Sequence, residues 1–322
     1  MDDDLDDVFR ERRRLLALGY RMTGTLADAE DVVQETYLRW YRLDDAERAA
    51  IVNPAGWLTT VAGRVALDLL GSARRRREQY VGQWLPEPVP DGTFAGALGS
   101  AVPSASSTSG AFAVSSASGP GDPLDRVTLD DDVSTALLVV LEAMTPAERV
   151  AFVLHDVFAV PFDEIAEAVG RSSAAVRQLA ASARRHVREN RATAVPRAEH
   201  DRVVRAFQDA ARTGDIAALM RSLAPDVQLR SDGGGVVRAA LNVVSGQDNV
   251  ARFLFGIAAK RPEMTMHEQR FADGLGFVFR EHGAVVSVMN LRVEAGVVSR
   301  VWIVLNPAKL TQWQTTEGQP HS

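Results

Sequence analysis

From about Gly92 to Gly121 the chain is built mainly of Gly, Ala, Ser and Thr, with almost no charge. Such a stretch buries too little apolar surface to offset the entropy of ordering it, so it reads as a flexible linker. That feature divides the 322 residues into pieces on either side of it. The length itself suits two or three small domains. We read residues 6–80 and 126–192 as helical units, 81–125 as linker, and 199–312 as an α+β domain.

In the first unit, Leu15, Leu16, Leu18 and Met22 form an apolar stripe. Thr25 then stands before Asp28-Ala29-Glu30-Asp31, an N-cap with acids in the first turn. Val32, Val33, Thr36, Tyr37 and Trp40 follow at helical spacing. Asn53-Pro54 opens another helix, with Asn at the cap and Pro at the first helical position. It runs through Trp57, Leu58, Val61, Val65 and Leu69 to Arg74-Arg75-Arg76-Arg77.

Beyond the linker, Thr145-Pro146-Ala147-Glu148 reads as a capping box. Phe162 to Val169 is a short helix stopped by Gly170, and Ser172 caps a longer one from Ser173 to about Glu189. This is helix-turn-helix spacing, with Ile165, Val169, Val176 and Leu179 as its small core. The first turn of the second helix offers Ser172, Ser173, Arg177 and Gln178 to base edges. Arg184, Arg185 and Arg188 further along suit phosphates. A plain helical hairpin with a solvated basic face has the same pattern. The arginine block 74–77 favours DNA, because two basic patches can grip one long site.

After Glu199 the period changes. Helices are expected at 199–212, 215–223 and 247–260. Strands follow, one with Val285, Ser287, Met289, Leu291 and Val293 on one face, another with Val297, Val301, Ile303 and Leu305. Glu294-Ala295-Gly296 is the turn between them. Helices followed by a strand meander suggest a curved sheet wrapped around helices, with a pocket in the cone.

Several classes are excluded. There is no cysteine, so disulfides, thiolate zinc sites and thiol catalysis are out, and a reducing cytoplasm is expected. The acidic Met1–Asp7 is unlike a signal peptide. No apolar run approaches the roughly 18–20 residues of a membrane span. Net charge is −6, so DNA contact has to come from local patches. No metal site and no cofactor is expected.

Taken together, these segments resemble the extracytoplasmic-function sigma factors. Gly19-Tyr20-Arg21-Met22-Thr23-Gly24 and the helix Asp28 to Trp40 resemble the part of sigma region 2 that docks on core RNA polymerase. That resemblance points to Asp28, Asp31, Gln34, Glu35, Leu38 and Trp40. The helix Asn53 to Arg77 resembles the part that opens and holds the −10 element. Asn53, Arg64 and Asp68 are candidates for base or pocket contacts, and Arg74, Arg75, Arg76 and Arg77 for phosphates. Thr145 to Arg191 resembles region 4, which reads the −35 element.

Three short motifs resemble the subgroup with a C-terminal SnoaL-like (ketosteroid-isomerase-like) extension. They are Trp84-Leu85-Pro86-Glu87-Pro88, Asp232-Gly233-Gly234-Gly235 and Asn306-Pro307-Ala308-Lys309-Leu310. The chain departs from the pattern at Val236, where a basic residue is usual, and at Ala308, where an acid is. The resemblance implies two all-α sigma domains plus a C-terminal α+β cone. The implied partners are core RNA polymerase and promoter DNA. The free chain is expected to be a monomer.

The C-terminal domain leaves three readings open: an enzyme, a sensor with a small ligand in its pocket, or a regulatory module acting within the chain. Asp232, His267, Glu268, Asp273 and His282 could titrate, but every tyrosine lies before residue 81, so the tyrosine oxyanion donor of ketosteroid isomerases is missing. We expect no catalytic residue, and regulation through the three motifs. For the whole chain the alternatives are a helix-turn-helix repressor, or a SnoaL-like enzyme fused to a DNA-binding module.

Overall fold

The computed structural model describes residues 11–78, 80–94, 134–190 and 195–314, without the side chains of 73–78. Most of the low-complexity linker and the first ten residues lie outside this description.

Four helices form the first unit: α1 (Arg12–Thr23), α2 (Leu26–Arg42), α3 (Asp45–Ala50) and α4 (Pro54–Glu78). Thr25 caps α2 by accepting from the Asp28 amide. The expected stripe is buried, with Leu15, Leu18, Met22, Val32, Val33, Leu58 and Val65 in one core.

The second unit holds α5 (Thr135–Glu142), α6 (Pro146–Phe152), α7 (Phe162–Val169) and α8 (Ser173–Asn190). The Thr145/Glu148 capping box starts α6, and a π turn at Val153–Val157 extends it. Gly170, at φ 67°, ends α7 in the left-handed conformation that glycine adopts without strain. The two helical units share one apolar cluster. Leu154 packs so tightly on α4 that a Cβ at Gly63 would lie 2.6 Å from its Cδ1. Buried Arg149 donates to the Met22 carbonyl at 2.6 Å and pairs with Glu142 at 3.1 Å.

The C-terminal domain comprises α9 (Arg197–Thr213), α10 (Ile216–Ser222), β1 (Leu223–Asp232), β2 (Val244–Ser245) and α11 (Gln247–Lys260). Strands β3 (Thr265–Phe271), β4 (Gly274–Glu281), β5 (Ala284–Glu294) and β6 (Val297–Val304) complete it. The sheet order is β2-β1-β6-β5-β4-β3. β1 lies parallel to β6, and the other pairs are antiparallel. The β5–β6 turn has Ala295 at φ 49° and Gly296 at φ 78°, the two positive φ values of a type I′ turn.

Because strand side chains alternate, each strand serves two compartments. One face, with Leu229, Phe277, Met289, Leu291, Val301 and Ile303, packs on the helices through Val204, Phe207 and Leu219. The other face, with Phe271, Val278, Val288, Trp302 and Val304, packs on Leu85, Leu310 and Trp313.

Two sequence expectations need correction. Val285 does not share a face with Met289 and Leu291. A register shift between Phe279 and Arg280 puts a bulge into the β4–β5 pairing, and Val285 joins Val288 on the outer face. The low-complexity segment also does not begin at Gly92. Phe94 is buried against Tyr20, with ring centroids 5.0 Å apart.

Candidate functional site

The candidate polymerase-facing helix is α2. Its Val32, Val33, Thr36 and Trp40 are buried, which turns Asp31, Gln34 and Leu38 outward on the opposite side. Glu35 sits between them, paired with Arg39 at 2.9 Å, and Asp28 is held at the N-cap by Thr25. Trp40 must be removed from the candidate surface. It is 3% exposed and packs edge-on against Trp57, so it is core. Tyr41, 43% exposed and three residues beyond Leu38, extends the stripe instead. Its spacing was visible in the sequence and was missed.

On α4, Arg64 and Asp68 are exposed one turn apart. Asn53 is also exposed, but its Oδ1 accepts from the Gly56 amide at 3.0 Å and so serves as the helix cap. Thr60, one turn before Arg64, reaches Glu164 of α7 at 3.5 Å, so this face of α4 abuts the helix-turn-helix. The backbone of Arg74, Arg75, Arg76 and Arg77 is helical, and their side chains lie outside the described residues.

On the second helix of the helix-turn-helix, Arg177, Gln178, Arg185 and Arg188 are exposed. Arg177 lies over the Phe162 ring at 5.4 Å. Ser172 is exposed while capping α8 through the Ala175 amide. Two residues depart from expectation. The Ser173 hydroxyl is buried and turned away from solvent. Arg184 is tied to Asp156 of the π turn at 2.7 Å, so it braces this unit internally.

The motifs around residues 84, 232 and 306 come together in one clamp. Asp232, fully buried at the end of β1, accepts from the Leu85 amide at 3.0 Å and pairs with Lys309 at 2.7 Å. The Lys309 ammonium also donates to the Leu85 carbonyl and lies 4.1 Å from the Trp84 ring centroid. Both peptide groups of Leu85 are therefore held by one buried ion pair, and its side chain fills the outer-face cluster. Trp313 donates from Nε1 to the Pro88 carbonyl at 2.9 Å.

The glycines explain how the parts approach so closely. A Cβ on Gly234, at φ 66°, would lie about 2.5 Å from the Asn306 side chain, and one on Gly233 would meet the Val237 carbonyl at 2.0 Å. Asn306 closes the loop by accepting from the Ala308 amide and donating to the Tyr80 hydroxyl, which itself donates to Asp232. Burial, and then that bond to a carboxylate, push the Tyr80 hydroxyl well above its ordinary range. Pro307 starts the short turn that aims Lys309, and Leu310 is buried beside Leu85.

The same linker touches the first unit with its other edge. The Glu87 carboxylate accepts from the Leu26 amide, the first of α2, at 2.8 Å. The Glu87 amide donates to the Gly24 carbonyl at 2.8 Å, and Tyr20 donates to the Glu87 carbonyl. Trp84 sits over Gly24, where a Cβ would fall 2.6 Å from its ring. Burial pushes the Glu87 carboxyl up, partly offset by the Leu26 N–H and by Lys309.

A second hold reaches the other helical unit. Asp273, in the β3–β4 turn, accepts from the Thr135 amide at 2.6 Å and the Ala136 amide at 3.3 Å. It thus caps α5 across the domain boundary. Asn290 donates to the Thr135 hydroxyl at 2.5 Å. Burial pushes the Asp273 carboxyl up, against the pull of these bonds. Sequence reasoning had marked Asp273 only as a titratable group.

Comparison with known proteins agrees with this layout. Residues 8–76 match the Sigma-70 region 2 model, and residues 134–187 match the Sigma-70 region 4 model. The ECF RNA polymerase sigma factor SigJ of Mycobacterium tuberculosis is 38% identical over 93% of this chain and 91% of its own. The sigma factor SigG of the same species is 33% identical over 58% of this chain and 48% of its own. The crystal structure of SigJ superposes with a TM-score of 0.68 at 34% identity, covering 97% of this chain and 98% of that one. No described helix is long and apolar enough to cross a membrane. Both DNA-binding regions and a full-length relative are matched in order, and the chain belongs to the extracytoplasmic-function family of RNA polymerase sigma factors.

Proposed function

We propose that this sigma factor, which binds core RNA polymerase and directs it to promoters, is controlled in cis by its C-terminal domain. The observation that carries the reading is the grip on Leu85 by Asp232 and Lys309, two residues from Glu87 at the start of α2. One rigid Pro-containing segment thereby ties region 2 to the C-terminal sheet. Prolines lower the entropy lost on docking it.

In this reading Asp31, Gln34, Glu35 and Leu38 meet the polymerase. Arg64, Asp68 and Arg74 to Arg77 serve the −10 element, while Arg177, Gln178, Arg185 and Arg188 serve the −35 element. The contact of α4 with α7 supports a resting arrangement in which region 4 covers part of the −10 face. The free chain is a monomer, because its own linker, α5 and tail fill the outer face of the sheet.

The C-terminal domain regulates and does not catalyse. Of the titratable candidates, Asp232 and Asp273 are spent on the two holds, and His267, Glu268 and His282 are exposed. The test is run-off transcription by core polymerase with the full chain and its Trp84→Ala variant. Altered initiation with unchanged helical content supports control through the linker. Identical output from the two chains overturns it.

A further inference from the structure

Inside the sheet, against α9, α10 and α11, lies a cavity of about 490 Å³. Small-molecule sites span roughly 300–1,000 Å³. Its walls are mostly apolar, with Phe207, Leu219, Leu254, Phe279, Met289 and Ile303 among them. Among the described residues no Asp, Glu, His or Tyr lines it, so they offer no carboxylate or imidazole to move a proton. The chemistry fits binding, not turnover.

Its polar groups define what would bind. Ser287 is 4% exposed, and its hydroxyl has no partner among the described residues. Ser287 lines the cavity, so a ligand there can supply the bond its hydroxyl lacks. The Gln208 amide likewise has no bond to the protein among the described residues. Arg212 and Arg261 also line the cavity. Their carboxylate neighbours Asp209 and Glu281 stand 3.8 and 3.9 Å away, beyond hydrogen-bond reach. Two loosely paired guanidiniums beside an apolar cavity suit a molecule with an apolar body and one negative end.

The cavity is wired to both holds through strand alternation. Ile303 and Leu305 line it from inside. Between them, Val304 faces the outer cluster with Leu85. The amides of Leu305 and Asn306 both donate to the Asp232 carbonyl, at 2.7 and 3.0 Å. On β5, Ser287 and Met289 line the cavity, while Asn290 reaches out to Thr135 of region 4. A ligand pressing on β5 and β6 therefore presses on both holds.

We propose that the cavity binds an amphipathic organic anion and that its occupancy is read out by the linker clamp and the α5 cap. This rests on the cis-control reading above. The test uses the full chain and 1-anilinonaphthalene-8-sulfonate, an apolar probe with one negative group. N-phenyl-1-naphthylamine serves as its uncharged counterpart. Fluorescence titration should give one saturable site. Met289→Trp, which fills the cavity, and Ser287→Leu, which removes its hydroxyl, should each weaken it by about tenfold or more. Arg212→Ala with Arg261→Ala should weaken the sulfonate probe about fivefold and leave the neutral one unchanged.

Saturating probe should also change amide exchange about threefold or more in residues 84–88 and 134–138, with residues 15–22 unaffected. Binding that ignores both Met289→Trp and Ser287→Leu overturns the site. Equal loss of both probes in the arginine variant overturns the anionic end. Binding with unchanged exchange at both holds overturns the wiring. Each of these failures leaves the Trp84→Ala transcription result standing, so loss of the ligand and loss of cis control are told apart.

Discussion

The C-terminal domain holds the two sigma regions in different ways. Towards region 2 it uses a buried ion pair, Asp232–Lys309, wrapped around the backbone of Leu85, with Leu310 and Trp313 packed alongside. Towards region 4 it uses the Asp273 carboxylate on two amides, one bond each from Asn290 and Arg292, and the partly buried Ala136 and Val139 against the outer face. Breaking one member of a buried ion pair costs about 3–5 kcal/mol, whereas losing an N-cap costs about 0.5–2 kcal/mol. The domain therefore grips the linker firmly and region 4 lightly. Region 4 is held mainly by the apolar core it shares with region 2, where Leu154 packs on α4 and Arg149 reaches Met22.

The largest expected effect is at Asp232. Asp232→Ala strands the Lys309 ammonium without its counter-ion and should lower stability by about 3–5 kcal/mol. Chemical denaturation measures the loss, and amide exchange at Leu85 should rise with it. A loss below that at Asp273 would reverse the ranking of the two holds.

Asp273→Ala should cost about 0.5–2 kcal/mol and speed exchange at Thr135 and Ala136, leaving Leu85 protected. If Leu85 loosens as much, the two holds are one cooperative unit and the comparison collapses.

The smallest effect sharpens the account of the clamp. Burial raises the Glu87 carboxyl, so the docked linker binds a proton more readily than the released one. Docking is then favoured as pH falls and weakens as pH rises through the raised value. Glu87→Gln keeps an acceptor for the Leu26 amide without the buried charge. It should change stability by no more than about 1 kcal/mol at neutral pH and flatten the pH dependence in the acid range. An unchanged pH profile would mean that Glu87 does not titrate in docking.

Much of this was legible in the sequence, and the failures share a cause. The caps at Thr25, Asn53, Thr145 and Ser172 act within a few residues, so local spacing revealed them. The three motifs were paired only through their resemblance to the SnoaL-extended sigma factors, because a Trp-Pro segment, a glycine run and one of only two lysines do not by themselves say what they meet. Trp40 was misplaced because an aromatic on a helix reads the same from either side until Trp57 is seen against it. Arg184 was misplaced because its acid, Asp156, sits on a π turn that no periodicity announces. Val285 was lost to a bulge, which shifts alternation by one residue and leaves no mark in composition. Asp273 as a cap for α5 needed the full fold, since 138 residues separate it from Thr135.

The span between Leu85 and Lys309 has a consequence for the chain as it is made. They are 224 residues apart. A ribosome adding about 5–20 residues per second needs on the order of 10–45 s to cover that distance, and domains emerging first fold first. Region 2 and then region 4 are therefore complete while the residue that locks the linker is still unmade. Every newly born molecule passes through an unlocked interval, and its length is set by translation speed.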